Sequence, residues 1–158
     1  MFQHRIRTTL LSIVILTLGI LLFYHPDRKK AVETLLQKGH AAIEEKNLDK
    51  LVPLIWLYYR DDLGFSYASL HESFKYIFSQ FDDIKIDYRI INITTGRDTC
   101  IADLQVWVHG KWAEGMKDLV GKENDPEPVS ILCKKDMFKW QVIGSRWPQW
   151  KSGLPNFN

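Results

Sequence analysis

Apolar side chains recur at helical spacing from residue 28 to residue 81, and from residue 84 onward they alternate. Val32, Leu35, Leu36, Ala42 and Ile43 share one stripe, the mark of an amphipathic helix. Asp27 is placed to cap its start, and Asn47 to end it or to cap the next helix. A second helical pattern runs from Leu48 to about Tyr59. Leu51, Val52, Leu54, Ile55 and Tyr58 make it apolar nearly all round, and Pro53 implies a kink or a late start. A third opens at Ser69 with Glu72 three residues on, a capping box, and carries Phe74, Ile77, Phe78 and Phe81 as its inner stripe.

The strand patterns follow. Ile84, Ile86, Tyr88 and Ile90 alternate with Lys85, Asp87 and Arg89. Thr95-Gly96-Arg97-Asp98 reads as a turn. In the next strand Ala102, Leu104, Val106 and Val108 face one way, and Asp103, Gln105, Trp107 and His109 the other. Residues 113–128 hold two glycines and two prolines and read as a long connection. Val129, Ile131 and Cys133 share a face of strand three, and Phe138, Trp140 and Val142 of strand four.

Ahead of these elements, residues 8–24 form 17 residues without a charge, at the short end for a membrane-spanning helix. A cleaved signal peptide would want small residues near its end, and Phe23, Tyr24, His25 and Pro26 supply none. A buried core helix would keep a polar face, and this stretch has none. A retained single-pass anchor fits the pattern. Basic residues flank it on both sides, so the positive-inside rule hardly decides its orientation. A short N-terminal tail ahead of one span usually stays in the cytoplasm, which puts the globular part on the periplasmic or extracytoplasmic side.

Net charge is +2, and Arg5 and Arg7 account for it, leaving 19 basic and 19 acidic side chains in the remainder. A neutral body lacks the basic stripe that nucleic-acid binding requires. The apolar fraction of 46% belongs to a folded chain. The expected architecture is α+β: an N-terminal transmembrane helix, then three helices packed on a curved antiparallel sheet of about four strands. The expected boundaries are 1–26 for the anchor, 27–147 for the domain and 148–158 for a tail.

The order of elements resembles the nuclear transport factor 2-like superfamily, also called the SnoaL-like or cystatin-like cone. HAAIEEKNLDKLVPLI corresponds to its first helix pair, and SLHESFKYIFSQFDDIKIDYRIINI to the third helix entering a strand. TCIADLQVWVHG and MFKWQVIGSRW supply later strands. The resemblance covers roughly residues 28–147 and contains no diagnostic catalytic motif. It implies a pocket between the helices and the concave sheet face. It also implies a range of activities, from isomerase and dehydratase to pure binding, so it names none.

Enzymes of this kind place an acid–base pair on the pocket wall. None of the inward strand positions, read as Ile86 to Ile90, Ala102 to Val108, Val129 to Ile131 and Phe138 to Val142, is a carboxylate or a histidine. Asp103 and His109 fall on the outward face, where solvation is the ordinary explanation, and His71 sits in a first turn. The five histidines form no i, i+4 pair, and no metal or other cofactor is expected. Six Trp, six Tyr and eight Phe are the distinctive content. Trp56, Tyr59, Tyr88 and Trp140 are candidates to line a ligand pocket. Asp103, Trp107, His109 and Trp112 are candidates for a protein-partner surface or for a homodimer through the outer sheet face.

Cys100 and Cys133 lie on inward faces. Pairing them directly places Leu104 opposite Val129, so that apolar positions meet along the ladder. A disulfide and a pair of buried free thiols are both compatible with that register. The expected function is a membrane-tethered binding or assembly domain, either an accessory subunit of an envelope complex or a binder of a small apolar ligand. In arrangement it is similar to bacterial secretion-system assembly factors, which also pair one anchor with such a domain. The alternative is a small-molecule isomerase, dehydratase or hydrolase.

Overall fold

Asp27 starts the first helix as its side chain predicts: its carboxylate accepts from the Lys29 amide (3.1 Å), and α1 runs Arg28–Glu44. The structure is a computed structural model, and it describes residues 27–113, 115–137 and 139–148. The uncharged 8–24 stretch, Phe138 and Trp150 lie outside the described residues. Among those residues no helix is long and apolar enough to cross a membrane.

Val32, Leu35 and Ala42 are the buried positions of α1. Enclosing a side chain of the Val or Leu size contributes about 1.5–3 kcal/mol. The chain leaves α1 through Lys46 at φ 51°. Asn47 then caps α2 (Leu48–Leu51), its side chain accepting from the Lys50 amide. The long second helix expected from the pattern does not form. Pro53 lacks an amide hydrogen, and Val52–Leu54 make one 3₁₀ turn. Residues 55–60 follow the free edge of the last strand with a turn at Leu57–Tyr58, where Tyr59 N donates to the Trp56 carbonyl (2.9 Å), Trp56 N to that of Val142 (2.9 Å) and Arg60 N to that of Ile143 (3.1 Å). Tyr59 is buried against that edge, and Leu57 and Tyr58 of the turn are exposed.

The third helix begins earlier than expected. Ser66 is the N-cap of α3 (Tyr67–Gln80), its Oγ accepting from Ser69 N while Ser69 Oγ accepts from Ser66 N. The capping box therefore closes on Ser69 from three residues upstream, and Glu72 is left on the exposed side.

Five strands follow where four were expected: β1 Asp83–Thr95, β2 Thr99–Trp112, β3 Gly115–Val120, β4 Glu127–Asp136 and β5 Lys139–Arg146. All pairings are antiparallel, in the order β1-β2-β4-β5, and β3 pairs with the far end of β2 beyond β4. β3 lies inside the segment read as a connection. Its side chains are largely exposed, so it shows no buried alternation. The core is the inner face of this sheet: Cys100, Ala102, Leu104, Val106, Val129 and Cys133, closed by Val32 and Leu35 of α1.

The expected register is observed, with Cys100 opposite Cys133 and Leu104 opposite Val129. Both thiols are free and buried. Contact with Cys100 and burial both push the Cys133 thiol up. Three register shifts interrupt the ladders, one of them in β3 between Asp118 and Val120, and the other two reset the alternation of the inner face. One follows Ile90 and returns Ile93, in place of Asn92, to the inner face opposite Ala102. The other, in β5 opposite Leu132–Cys133, brings Ser145 to the inner face opposite Ile131.

Candidate functional site

Side chains of directly paired residues lie on one side of a sheet, so the inner face reads as rows. Ile90, Leu104 and Val129 form one, Tyr88, Val106 and Glu127 the next, and Ile86, Val108 and Val120 a third. Two helices wall this face. Arg28 Nη1 donates to the Gly96 carbonyl (2.9 Å), and Glu44 Oε1 accepts from Ile86 N (3.2 Å), so α1 runs along β1. α3 leaves the β5 side at Ser66, which bridges to Arg60, and reaches the far end of β2, where Asp82 N donates to the Lys111 carbonyl (2.9 Å). Phe81 lies there against Gly110, and a Cβ on that glycine would stand 2.6 Å from the ring. Leu70, Phe74, Ile77 and Phe78 are half-buried, and α3 has no fully buried residue. Its apolar stripe is therefore only half covered.

Glu127 lies on the inner face of the sheet, opposite Val106. It is 3% exposed, shares its face with Val129 and Cys133, and its Oε1 is enclosed without a hydrogen-bond partner. This corrects the expectation that no inward strand position carries a carboxylate. β4 begins two residues before Val129, and the same alternation turns Glu127 inward. Gly121 makes the placement sterically feasible. Its φ is +60°, and a Cβ there would lie 2.7 Å from Glu127 N and 2.8 Å from the Val106 carbonyl.

Across the row, Tyr88 is partly covered, and burial, followed by the charge of Glu33, raises its phenol above the usual range. The His40 ring stands edge-on to Tyr88 with centroids 5.5 Å apart. His40 Nε2 is 3.3 Å from Glu44 Oε1, close enough for an ion pair when the ring is protonated, but not aligned as a hydrogen bond. Tyr88 and Glu127 belong to strands separated by β2, about 10 Å apart in the backbone. They face one space without touching.

A second polar group closes the β5 side. The buried Tyr59 hydroxyl donates to Asp61 Oδ2 (2.9 Å) and lies 3.0 Å from Ser145 Oγ, which also accepts from Trp147 Nε1 (2.8 Å). Burial pushes this phenol far above its ordinary value. Tyr59 also belongs to a groove of about 320 Å³, lined by Leu57, Tyr58, Arg60 and Tyr67 among others. Among the described residues no group of three or more His, Cys, Asp or Glu side chains could hold a metal ion.

Of the candidates for a ligand pocket, Tyr59, Tyr88 and Trp140 stand on the inner side; Trp140 is opposite Lys135 and packs against the core. Trp56 stands elsewhere, with the ammonium of outward-facing Lys134 5.0 Å from its ring centroid. Of the candidates for a partner surface, three share the outer face. Asp103 accepts from Ser130 Oγ (2.6 Å), Trp107 donates to Asp118 Oδ1 (2.9 Å), and His109 stacks on Trp107 at 4.3 Å. Trp112 does not join them. It is even-numbered along β2, like Val106 and Val108, and packs edge-on against Phe81 at 5.1 Å. Glu127 and His40 were missed. Strand parity carried the signal for Glu127; none marked His40, an ordinary polar position of an amphipathic helix.

No protein-family model matches the chain, and no curated protein sequence does. Solved structures do. A conserved protein from Planctomyces limnophilus superimposes with a TM-score of 0.67 at 11% identity, covering 77% of this chain and 95% of that one. A Novosphingobium aromaticivorans protein, provisionally described as a scytalone dehydratase, gives 0.66 at 10% identity over 83% and 94%. A Streptomyces avermitilis protein of the NTF2-like family, provisionally described as a dehydratase, gives 0.62 at 11% over 77% and 96%. The fold is the NTF2-like cone. At such identities the likeness reaches the fold and stops there.

Proposed function

We propose that this domain acts by binding a small, largely apolar molecule in the cup between α3 and the inner face of the sheet. The observation that carries this reading is the half-covered apolar stripe of α3, held at both ends above a concave wall of Ile86, Ile90 and Val108 that is itself only half-buried. Apolar surface left uncovered inside a fold is a binding resource, and ligand sites combine such walls with few polar groups. The uncharged stretch 8–24 tethers the domain to a membrane in the same reading, with the cone on the extracytoplasmic side.

The test is a titration of the full-length chain in lipid nanodiscs with 1-naphthylmethanol, followed by calorimetry against empty discs. Saturable binding is expected in the wild type. It should be lost in Val108→Trp, which fills the cup, with the far-UV circular dichroism retained. Binding absent in the wild type, or unchanged by the filling substitution, refutes the reading.

A further inference from the structure

Three segments close one end of the cone. Arg28 Nη1 donates to the Gly96 carbonyl (2.9 Å), which sets the start of α1 beside the β1–β2 turn. Lys135 N donates to the Asp98 carbonyl (2.8 Å), which brings the β4–β5 turn to the same place. This pole carries Arg28, Lys29, Lys30, Arg97, Lys134, Lys135 and Lys139 against Asp27, Asp98 and Asp136, so seven basic side chains face three acidic ones and leave a surplus of four. Six of the seven are exposed, Lys135 being half-buried. Among the described residues none of the seven forms an ion pair. At the other end of α1 the lysines are engaged, Lys50 with Glu45, and Lys85 with Glu44 and Asp83 at 3.8 Å each. The even charge balance of the whole chain hides this polarity. At the tip of the β4–β5 turn stands Met137, 83% exposed, the most exposed large hydrophobic side chain among the described residues.

The position of this pole along the chain is a second observation. Arg28 comes four residues after the end of the uncharged stretch 8–24. Four residues span at most roughly 14 Å when fully extended. In a chain tethered by that stretch, the start of α1 stays within about one Debye length of the headgroup layer.

We propose that this pole docks on the bilayer that carries the chain, with its basic side chains on anionic lipid headgroups and Met137 seated among them. The proposal goes beyond the ligand-binding function and takes from that reading only the tether. Each basic side chain held near an anionic bilayer favours the docked state roughly fivefold, so unpaired groups clustered on one face add up where scattered ones would not. Long lysine stems lie along the interface while their ammonium groups stay wet, and a thioether gains by leaving water there. A polyanion in solution would meet the same charges, but the tether holds the pole against lipid throughout. Docking fixes the orientation of the cone, with the Glu44 end of α1 turned away from the membrane.

Methionine oxidation tests this on the full-length chain in nanodiscs. Hydrogen peroxide is uncharged, so the surface potential does not change its local concentration, and it oxidises exposed thioethers. Met137 reports the pole. Met116, also exposed, reports the far end, because β3 pairs it with Lys111. Mass spectrometry follows both in phosphatidylcholine discs and in discs containing about one quarter phosphatidylglycerol. Met137 should oxidise about threefold or more slowly on the anionic discs, and Met116 equally on both. The difference should vanish at about 1 M salt, where the Debye length is about 3 Å. It should also vanish in the double reversal Arg97→Glu with Lys139→Glu, two exposed turn positions, with the far-UV circular dichroism retained. Equal Met137 rates on both lipids, equal slowing of Met116, or protection that survives salt overturns the docking. Protection that survives the double reversal in a folded variant overturns it too, since tethering alone would then explain it. Protection that appears on neutral discs with duplex DNA, and not with anionic lipid, gives the pole to nucleic acid and overturns it as well. A chain that floats with anionic vesicles but not with neutral ones, with Met137 protected, sustains the pole and sinks only the tether.

Discussion

Replacing Gly121 by alanine tests the corner that delivers Glu127 to the inner face of the sheet. Two costs add there. The residue sits at φ +60°, where an L side chain loses about 1 kcal/mol against its preferred conformations. The new methyl would also stand 2.7 Å from Glu127 N, 2.8 Å from the Val106 carbonyl and 3.2 Å from Pro126 Cα. All three are backbone atoms, which cannot swing aside as the tip of a side chain can, and overpacking of this kind costs about 1–3 kcal/mol. The sum is a loss of roughly 2–4 kcal/mol, or about 8–16 °C in Tm for a domain of this length. Thermal unfolding by circular dichroism measures it, with Gly39→Ala as the reference. Gly39 lies inside α1 with nothing within 4 Å of a Cβ, so alanine there should stabilise by about 0.5–1 kcal/mol. A Gly121→Ala variant within about 0.5 kcal/mol of the wild type would refute the packing of this corner, and with it the cause assigned to the inward turn of Glu127.

Gly144→Ala should destabilise by about 1–3 kcal/mol, because its Cβ would run into the Arg60 carbonyl where residues 55–60 edge β5; a neutral effect in urea unfolding would deny that close approach. Tyr59→Phe should cost about 1–2 kcal/mol at neutral pH through the lost bonds to Asp61 and Ser145. Since burial raises the folded phenol, wild-type stability from this group is complete below pH ~10 and falls above it by about 1.4 kcal/mol per pH unit, so the gap to Tyr59→Phe should narrow in alkali; a gap that widens there contradicts the buried setting. Oxidation with diamide, which takes one hydrogen from each thiol as it is reduced to the hydrazine, should join Cys100 to Cys133 and add roughly 2–4 kcal/mol of stability; two thiols still alkylatable in denaturant after oxidation would reject the direct register.

What was legible in the chain follows from how local each cause is. Asp27 and Asn47 cap the helices they precede because a side-chain oxygen reaches an amide two or three residues away, and nothing distant competes. The register of β2 and β4 was legible too, because a one-residue slip would bury polar positions. Residues 55–60 were misread because their partners, Val142 and Ile143, lie far along the chain, and the apolar pattern does not say whether a helix or a sheet edge will take it. β3 was invisible because an exposed strand leaves no alternation to detect. The bulge in β5 shifted parity by one residue, and so brought Ser145 to the inner face, where Tyr59 and Trp147 reach it.

The site was harder to read than the fold for a reason that Glu127 makes plain. Hydrophobic periodicity reports which positions are covered, and it counts a buried carboxylate as noise at the end of a strand. Parity alone would have turned Glu127 and Trp112 inward and left Trp107 and His109 outside, since each strand carries that alternation along its length. Parity cannot say whether a covered polar atom is paired. Tyr59 and Glu127 are comparably enclosed, at 4% and 3% exposure, yet one has two partners on its hydroxyl and the other an acceptor with none. The first is the ordinary way a polar group enters a core and argues for stability. The second leaves an acceptor unfilled in the core and costs the fold stability.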